Sequence, residues 1–95
     1  MSISVKHGDK YPIQFVVNAD LTGATVRLLA KPNGGDTLVL DSTIPDPAGG
    51  VVEHMLTGEL DVGDYRIEVE ATRDGEVITF PNTGTESLHV EADLG

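Results

Sequence analysis

The chain of 95 residues contains no cysteine and no tryptophan, and only 4% of its residues are aromatic. Without cysteine it can form no disulfide, no thiolate metal site and no cysteine nucleophile. With so few aromatic side chains, its core must consist mainly of valine, isoleucine, leucine and alanine. Its length is that of one small domain, so we expect a single domain over residues 1–95.

Basic residues are also scarce: six lysines and arginines stand against 16 acidic residues, which gives a formal net charge of −10. The six are scattered along the chain, and phosphate binding needs lysine and arginine, so we expect no nucleic-acid partner. A surface this acidic indicates either a well-solvated domain or adaptation to high salt, where screening removes the repulsion between like charges. Unfolding midpoints measured from low to molar salt distinguish the two, because only an adapted domain gains stability.

Long hydrophobic runs are missing as well. None approaches the roughly 20 residues that a membrane-spanning helix needs, and the N-terminal stretch MSISVKHGDKYP lacks the apolar centre of a signal peptide. These absences predict a soluble protein that does not insert into membranes and is not exported by that route.

Apolar and polar residues alternate with a period of two in several segments, which is typical of half-buried β-strands. The clearest segment is DYRIEVEA, residues 64–71. The inward faces predicted by the alternation are Tyr11, Ile13, Phe15 and Val17; Val26, Leu28 and Ala30; Leu38 and Leu40; Tyr65, Ile67, Val69 and Ala71; and Leu88, Val90 and Ala92. In VVEHML, residues 51–56, the alternation fits either Val51 and Met55 or Val52 and Leu56 as the inward set.

Turn residues separate these segments. Asp74 and Gly75 predict a two-residue hairpin, and Pro81, which has no amide hydrogen, predicts the end of the following strand or an edge position. Residues 44–50 predict a long connection, and residues 57–63 at most one helical turn. The sequence therefore predicts an all-β fold, an immunoglobulin-like sandwich of two antiparallel sheets with about seven strands. A small barrel is the alternative.

Residues that carry chemistry do not form a recognisable pattern. His7, His54 and His89 lie in separate segments without the short spacing of zinc ligands, and we interpret all three as surface residues. No serine lies in a G-x-S-x-G context. We therefore expect no catalytic residue, no cofactor, no metal, no small-molecule substrate and no enzymatic activity.

Two weaker alternatives concern binding rather than catalysis. Acidic residues of the loops would gather at one end of a sandwich, but they lack a calcium-loop motif; they are Asp41, Asp46, Glu59, Asp61 and Asp64. A surface glycan-binding module would need exposed aromatic rings, whereas most of the few aromatic residues fall on predicted inward faces. A small hydrolase is the least favoured function.

Three segments in order carry a family resemblance: LTGATVRLL (21–29), GGVVEHMLTGE (49–59) and GDYRIEVEATRDGEVITFPNTG (63–84). They resemble the immunoglobulin-like N-terminal domain of phage baseplate upper proteins, a module of tailed-virus particles. The shared features are an L-T-G-A-T strand start, a G-x-V strand, a G-x-Y-x-x-E strand, a D-G hairpin and a T-F-P-x-x-G ending. The resemblance extends from about Val5 to Val90.

The resemblance implies a non-enzymatic structural component of a tailed virus particle, first of all a tail or baseplate adaptor in a symmetric assembly. A capsid decoration or turret protein on the viral head is the alternative. The implied partners are other virion proteins and copies of the chain itself, and the implied location is the virion, assembled in the host cytoplasm. The candidate contact residues are Arg66, Glu68 and Glu70 on an outward strip, and Phe80, Pro81 and Asn82 at an edge.

Overall fold

All regular secondary structure in the computed structural model, which describes residues 2–81 and 86–92, consists of β-strands. The strands are β1 (Ser2–Lys6), β2 (Pro12–Val16), β3 (Thr25–Pro32), β4 (Leu38–Leu40), β5 (Thr43–Asp46), β6 (Val51–Met55), β7 (Gly63–Arg73), β8 (Glu76–Phe80) and β9 (Glu86–Glu91). The predicted all-β class is confirmed, and residues 57–62 form no helical turn.

Two sheets contain these strands. The smaller has the order β2-β6-β5, and the larger has the order β1-β9-β7-β3-β4, with β8 as a sixth strand beside β7. The long strand β7 is the central strand of the larger sheet. It pairs with β3 along one side; on its other side its first half pairs with β9 and its second half with β8.

One apolar core joins the two sheets. Because successive side chains of a strand point to opposite faces, every second residue contributes to it. Its largest fully buried side chains come from both sheets, with Phe15 and Val52 in the smaller and Leu28, Ile67 and Leu88 in the larger. The fold is therefore sandwich-like, with two sheets packed around a common interior.

Most predicted inward faces are buried, and the ambiguous segment 51–56 turns Val52 and Leu56 inward. Three predicted inward residues are exposed: Tyr11, Leu38 and Ala92. All three lie at the ends of strands, where the opposite sheet no longer covers them. Tyr11 precedes β2, Leu38 begins the three-residue strand β4, and Ala92 follows β9.

The prediction of about seven strands is wrong, because the described residues form nine. The two strands that the alternation missed are β1, with only Ile3 and Val5 as apolar residues, and β5, which contains Pro45 within the predicted long connection. Both are end strands of their sheets, where proline and polar residues are tolerated. The prediction of purely antiparallel sheets is also wrong, since β1 pairs with β9 in parallel.

The predicted hairpin is confirmed. Asp74 and Gly75 connect β7 to β8 with φ angles of 52° and 81°. Two positive φ angles in a two-residue loop are those of a type I′ turn, whose twist matches that of the flanking strands. Strand β8 then ends at Phe80, directly before Pro81, as predicted.

Candidate functional site

The predicted outward strip lies on the outer face of β7. Arg66 is exposed and Glu68 and Glu70 are partly buried, whereas the residues between them point into the core. Glu70 accepts a hydrogen bond of 3.2 Å from Arg27, its direct cross-strand neighbour on β3. Glu70 is therefore already engaged within the chain, and Arg66 is the more available contact residue.

The predicted edge residues lie on the opposite side of the same sheet. Phe80 packs partly against the core, and Asn82 lies outside the described residues. Phe80 and Pro81 line a cavity of about 350 Å³ between the two sheets, which we call the β2–β8 cleft. Its lining is mainly apolar and includes two polar residues, Asn18 and Glu86; the apolar residues are Phe15, Val16, Val17, Ile67, Val69, Phe80 and Pro81. The structure thus separates the two predicted surfaces, one on an outer face and one at an opening into the core.

An open strand edge of β2 borders this cleft. The amide of Val17 donates to the oxygen of Gly50 at 2.8 Å, and the amide of Leu56 donates to the oxygen of Tyr11 at 3.0 Å. Since main-chain groups alternate in direction along a strand, those of Gln14 and Val16 point away from β6. Strand β2 ends its sheet, so within the described residues no strand lies on that side.

Strand β8 presents a second open edge at the cleft. Arg73 and Glu76 flank the two-residue turn and form its hydrogen-bonded pair. By the same alternation, the main-chain groups of Val77 and Thr79 point away from β7. Strand β8 pairs only with β7 in the part of the chain that the structure describes. Pro81 indicates an edge here, whereas no local pattern indicates the open edge of β2, because strand pairing depends on distant parts of the chain.

A buried histidine, His54, lies on β6 and contacts an acidic side chain. Nδ1 of its ring contacts the main-chain oxygen of Asp41 at 2.5 Å, and Nε2 contacts Oε1 of Glu59 at 2.8 Å. Both neighbours are acceptors, so the ring satisfies both only when each nitrogen carries a proton. The prediction of a surface residue is wrong for His54, which is 6% exposed because it shares the inward face of Val52 and Leu56.

Glu59 is held in its charged form by this arrangement. Burial raises the pKa of its carboxyl group, but hydrogen bonds from His54, from its own amide and from Thr57 outweigh that effect and lower the pKa to about 2. Its Oε2 accepts hydrogen bonds from both the amide and the hydroxyl of Thr57, at 2.7 and 2.8 Å. The contact between His54 and Glu59, which is an ion pair when both ring nitrogens carry a proton, fixes the loop after β6.

This group does not resemble a hydrolytic site, although Ser42 and Thr43 line the adjacent cavity of about 540 Å³. A hydroxyl nucleophile needs an imidazole nitrogen with a free lone pair to accept its proton. Both nitrogens of His54 are engaged with acceptors. The arrangement supports the loops structurally, and the absence of enzymatic activity stays a prediction.

The other predicted sites can be located as well. His7 is exposed and its Nδ1 contacts the main-chain oxygen of Leu60 at 2.9 Å, while His89 is partly exposed and contacts the carboxylate of Asp64. Among the described residues, no group of three or more histidine and acidic side chains is arranged to hold a metal ion. The described residues also include no helix that is both long and apolar enough to cross a bilayer.

Protein-family models and curated proteins identify no relative of this chain. No protein-family model matches it, and no curated protein matches it at a significant level. The resemblance to the baseplate domain therefore stays a prediction that depends on the motifs in the sequence.

Proposed function

We propose that this chain is a non-enzymatic structural module of a tailed virus particle, with an immunoglobulin-like fold, which attaches to neighbouring proteins by strand addition at the β2–β8 cleft. The observation that carries the proposal is an apolar opening into the core flanked by two open strand edges. A strand laid along β2 finds main-chain partners at Gln14 and Val16, and its apolar side chains enter the cleft against Phe15 and Phe80.

The composition of these edges supports strand addition. Proteins usually protect open edges with charges, prolines or bulges. Strand β2, PIQFV, has a proline only at its first residue and no charged residue in a chain with 16 acidic ones, and its Val16 is 57% exposed. Strand β8, EVITF, exposes Val77 to 59% and carries a charge only at its first residue, Glu76. Apolar edges that carry protection only at their first residue are expected where a partner covers them.

The ordered motifs at 21–29, 49–59 and 63–84 support the viral setting, and the two-sheet architecture is compatible with an immunoglobulin-like domain. In this setting the chain acts as a tail or baseplate adaptor whose partners are other virion proteins and copies of itself. A small domain without disulfides gains stability when many interfaces bury its surface. Capsid decoration on the head is the second candidate, and the copy number per particle distinguishes it, with tens for a tail and hundreds for a shell.

The substitution Val16→Pro tests strand addition. The amide of Val16 points away from β6, so proline removes a docking donor without breaking a hydrogen bond of the sheet. We expect a folded protein whose incorporation into virus particles falls at least about tenfold, the effect of a loss of about 1.4 kcal/mol.

The matched control is Val16→Thr, which keeps the amide and a similar shape and should be incorporated normally. Incorporation of folded Val16→Pro protein at the level of the unmodified chain would count against strand addition at β2.

A further inference from the structure

Two of the six basic residues face each other on the outer face of the larger sheet. Lys31 on β3 and Arg66 on β7 are direct cross-strand partners. Both point outward, because Ala30 and Tyr65 beside them are buried. Side chains in such positions have Cβ atoms about 4.5–5.5 Å apart, and like charges there destabilise a sheet. The positions 31 and 66 are distant in sequence, so only the strand pairing reveals this contact.

Neither cation has an acidic partner among the described residues, although the chain has 16 acidic residues. Two of the other four cations form ion pairs: Arg27 pairs with Glu70 at 3.2 Å, and Lys6 pairs with Glu91 at 2.5 Å, whereas Lys10 forms none among the described residues. A chain with so many carboxylates could easily neutralise Lys31 and Arg66. Asp64 and Glu68 share the outer face of β7 with Arg66 but form no ion pair with either cation, so the donors of Lys31 and Arg66 remain available to a group of another molecule.

The surroundings of the pair are those of a protein contact. A cavity of about 320 Å³ beside it is lined in addition by Asn33 and Ser87, whose side chains can donate hydrogen bonds, and by the acidic residues Asp64 and Glu86. On the same outer face, Leu29 lies opposite Val39, which is 58% exposed. We define the basic patch as Lys31, Arg66, Leu29 and Val39; Glu68, the cross-strand partner of Leu29 on β7, borders it. An arginine beside exposed apolar groups is a composition enriched in protein interfaces.

We propose that the basic patch binds an exposed aspartate or glutamate of a second copy of this chain. The guanidinium of Arg66 can hold a carboxylate through two parallel hydrogen bonds, and Lys31 adds a second positive charge. Because each copy carries a net charge of −10, acidic surfaces of two copies repel each other. Contact between copies is favoured where a basic patch meets a carboxylate.

The sign of the patch also constrains the geometry. A two-fold axis through it would bring four cations together, so the patch must meet a different, acidic surface of the second copy. It lies on the outer face of the larger sheet, whereas the β2–β8 cleft opens between the sheets. The proposal therefore goes beyond strand addition, and the substitution Val16→Pro should leave this contact intact.

Sedimentation equilibrium of the purified chain tests the proposal, from micromolar to millimolar protein at about 0.1 M salt, where charges interact over about 10 Å. We expect concentration-dependent association. Lys31→Gln and Arg66→Gln should each weaken the association constant at least about fivefold, the size of a good surface ion pair. Lys10→Gln removes the same charge from another exposed lysine and should change the association constant less than about twofold.

Arg66→Lys keeps the charge but loses the planar fork, so its association constant should fall between those of the unmodified chain and Arg66→Gln. Circular dichroism verifies that each variant is folded. A chain that stays monomeric at millimolar concentration overturns the proposal, and so does equal weakening by the Lys10, Lys31 and Arg66 substitutions. Saturable binding of acetate at Lys31 and Arg66, observed by NMR in a protein that does not associate, would identify a free anion as the ligand and also overturn it.

Discussion

The imidazole of His54 lies 2.8 Å from the carboxylate of Glu59 and 2.5 Å from the main-chain oxygen of Asp41. This one side chain thereby links the loop after β6 to the crossover between β4 and β5, where the chain passes from the larger sheet to the smaller one. An ion pair that connects two loops at one end of the fold should make a measurable contribution to stability.

The first prediction concerns Glu59 and pH. Its pKa of about 2 in the folded protein is below the ordinary value of 4.5, so its charged form favours folding. The stabilisation is fully present above pH 4.5 and is lost as the pH falls from 4.5 towards 2. We expect Glu59→Gln to lower the free energy of unfolding by about 1 kcal/mol at pH 6, a discounted value because the side chain is 36% exposed to water.

Urea unfolding of the unmodified chain and of Glu59→Gln from pH 6 to pH 2 measures this effect. The difference between their free energies of unfolding should disappear as the pH approaches 2. Asp36→Asn, which removes the same charge from an exposed side chain, is the control and should change the free energy of unfolding little. A constant difference across the pH range would contradict the proposed ion pair.

The second prediction concerns His54 itself. His54→Leu keeps a similar volume but leaves the oxygens of Asp41 and Glu59 without their donor, so we expect a loss of about 2 kcal/mol in the free energy of unfolding. Surface substitutions usually change this quantity by less than about 0.5 kcal/mol. Thermal unfolding at pH 6 should therefore show a much lower midpoint than for His89→Leu, whose histidine is partly exposed. Equal midpoints would mean that His54 contributes no more than a surface residue.

The alternation of side chains predicted the interior well where strands are long. In β7, the sequence correctly placed Tyr65, Ile67, Val69 and Ala71 in the core, because eleven residues with one apolar face leave a single register. In β6 two registers competed, since the inward set includes a histidine. His54 can be buried only because Asp41 and Glu59 accept its hydrogen bonds, and no local pattern predicts those contacts.

Features that depend on pairing between distant residues could not be predicted. Strand β1 is short and polar, and it becomes a strand through its parallel ladder with β9, more than 80 residues away. The open edge of β2 and the opposition of Lys31 and Arg66 likewise follow from which strands are neighbours. The basic residues are scattered along the sequence, but the fold brings Lys31 and Arg66 together as cross-strand partners.

The third prediction compares two glycines with positive φ. At Gly50, with φ of 70°, an added Cβ would lie 2.2 Å from the oxygen of Val17 and 2.6 Å from that of Ala19. Main-chain atoms of the adjoining segment would have to move, so we expect Gly50→Ala to cost about 3 kcal/mol or more. At Gly34, with φ of 72°, no atom lies within 4 Å of the added Cβ, and Gly34→Ala should cost only about 1 kcal/mol.

Urea unfolding of the two glycine variants isolates the steric contribution, because the backbone penalty for positive φ is shared. Similar losses in both would contradict the close packing of Gly50 against the chain after β2.

The fourth prediction concerns the turn between β7 and β8. Gly75→Ala forces a Cβ into the left-handed region at φ of 81°, which should cost about 1 kcal/mol. Asp74→Asn should change the free energy of unfolding little, because asparagine favours the type I′ turn at least as well. Thermal unfolding of the two variants checks this prediction, and Gly75→Ala should have the lower midpoint. A lower midpoint for Asp74→Asn would be inconsistent with a type I′ turn.

The most direct test of the proposed structural role is a cryo-EM map of tailed-virus particles purified from the cells that express this chain. The proposal predicts repeated density for the two-sheet fold on the tail or head, with a strand of a neighbouring protein along β2 and an apolar side chain of that strand in the β2–β8 cleft. Particles without this density, or with the fold present but the cleft open to solvent in every copy, would contradict it.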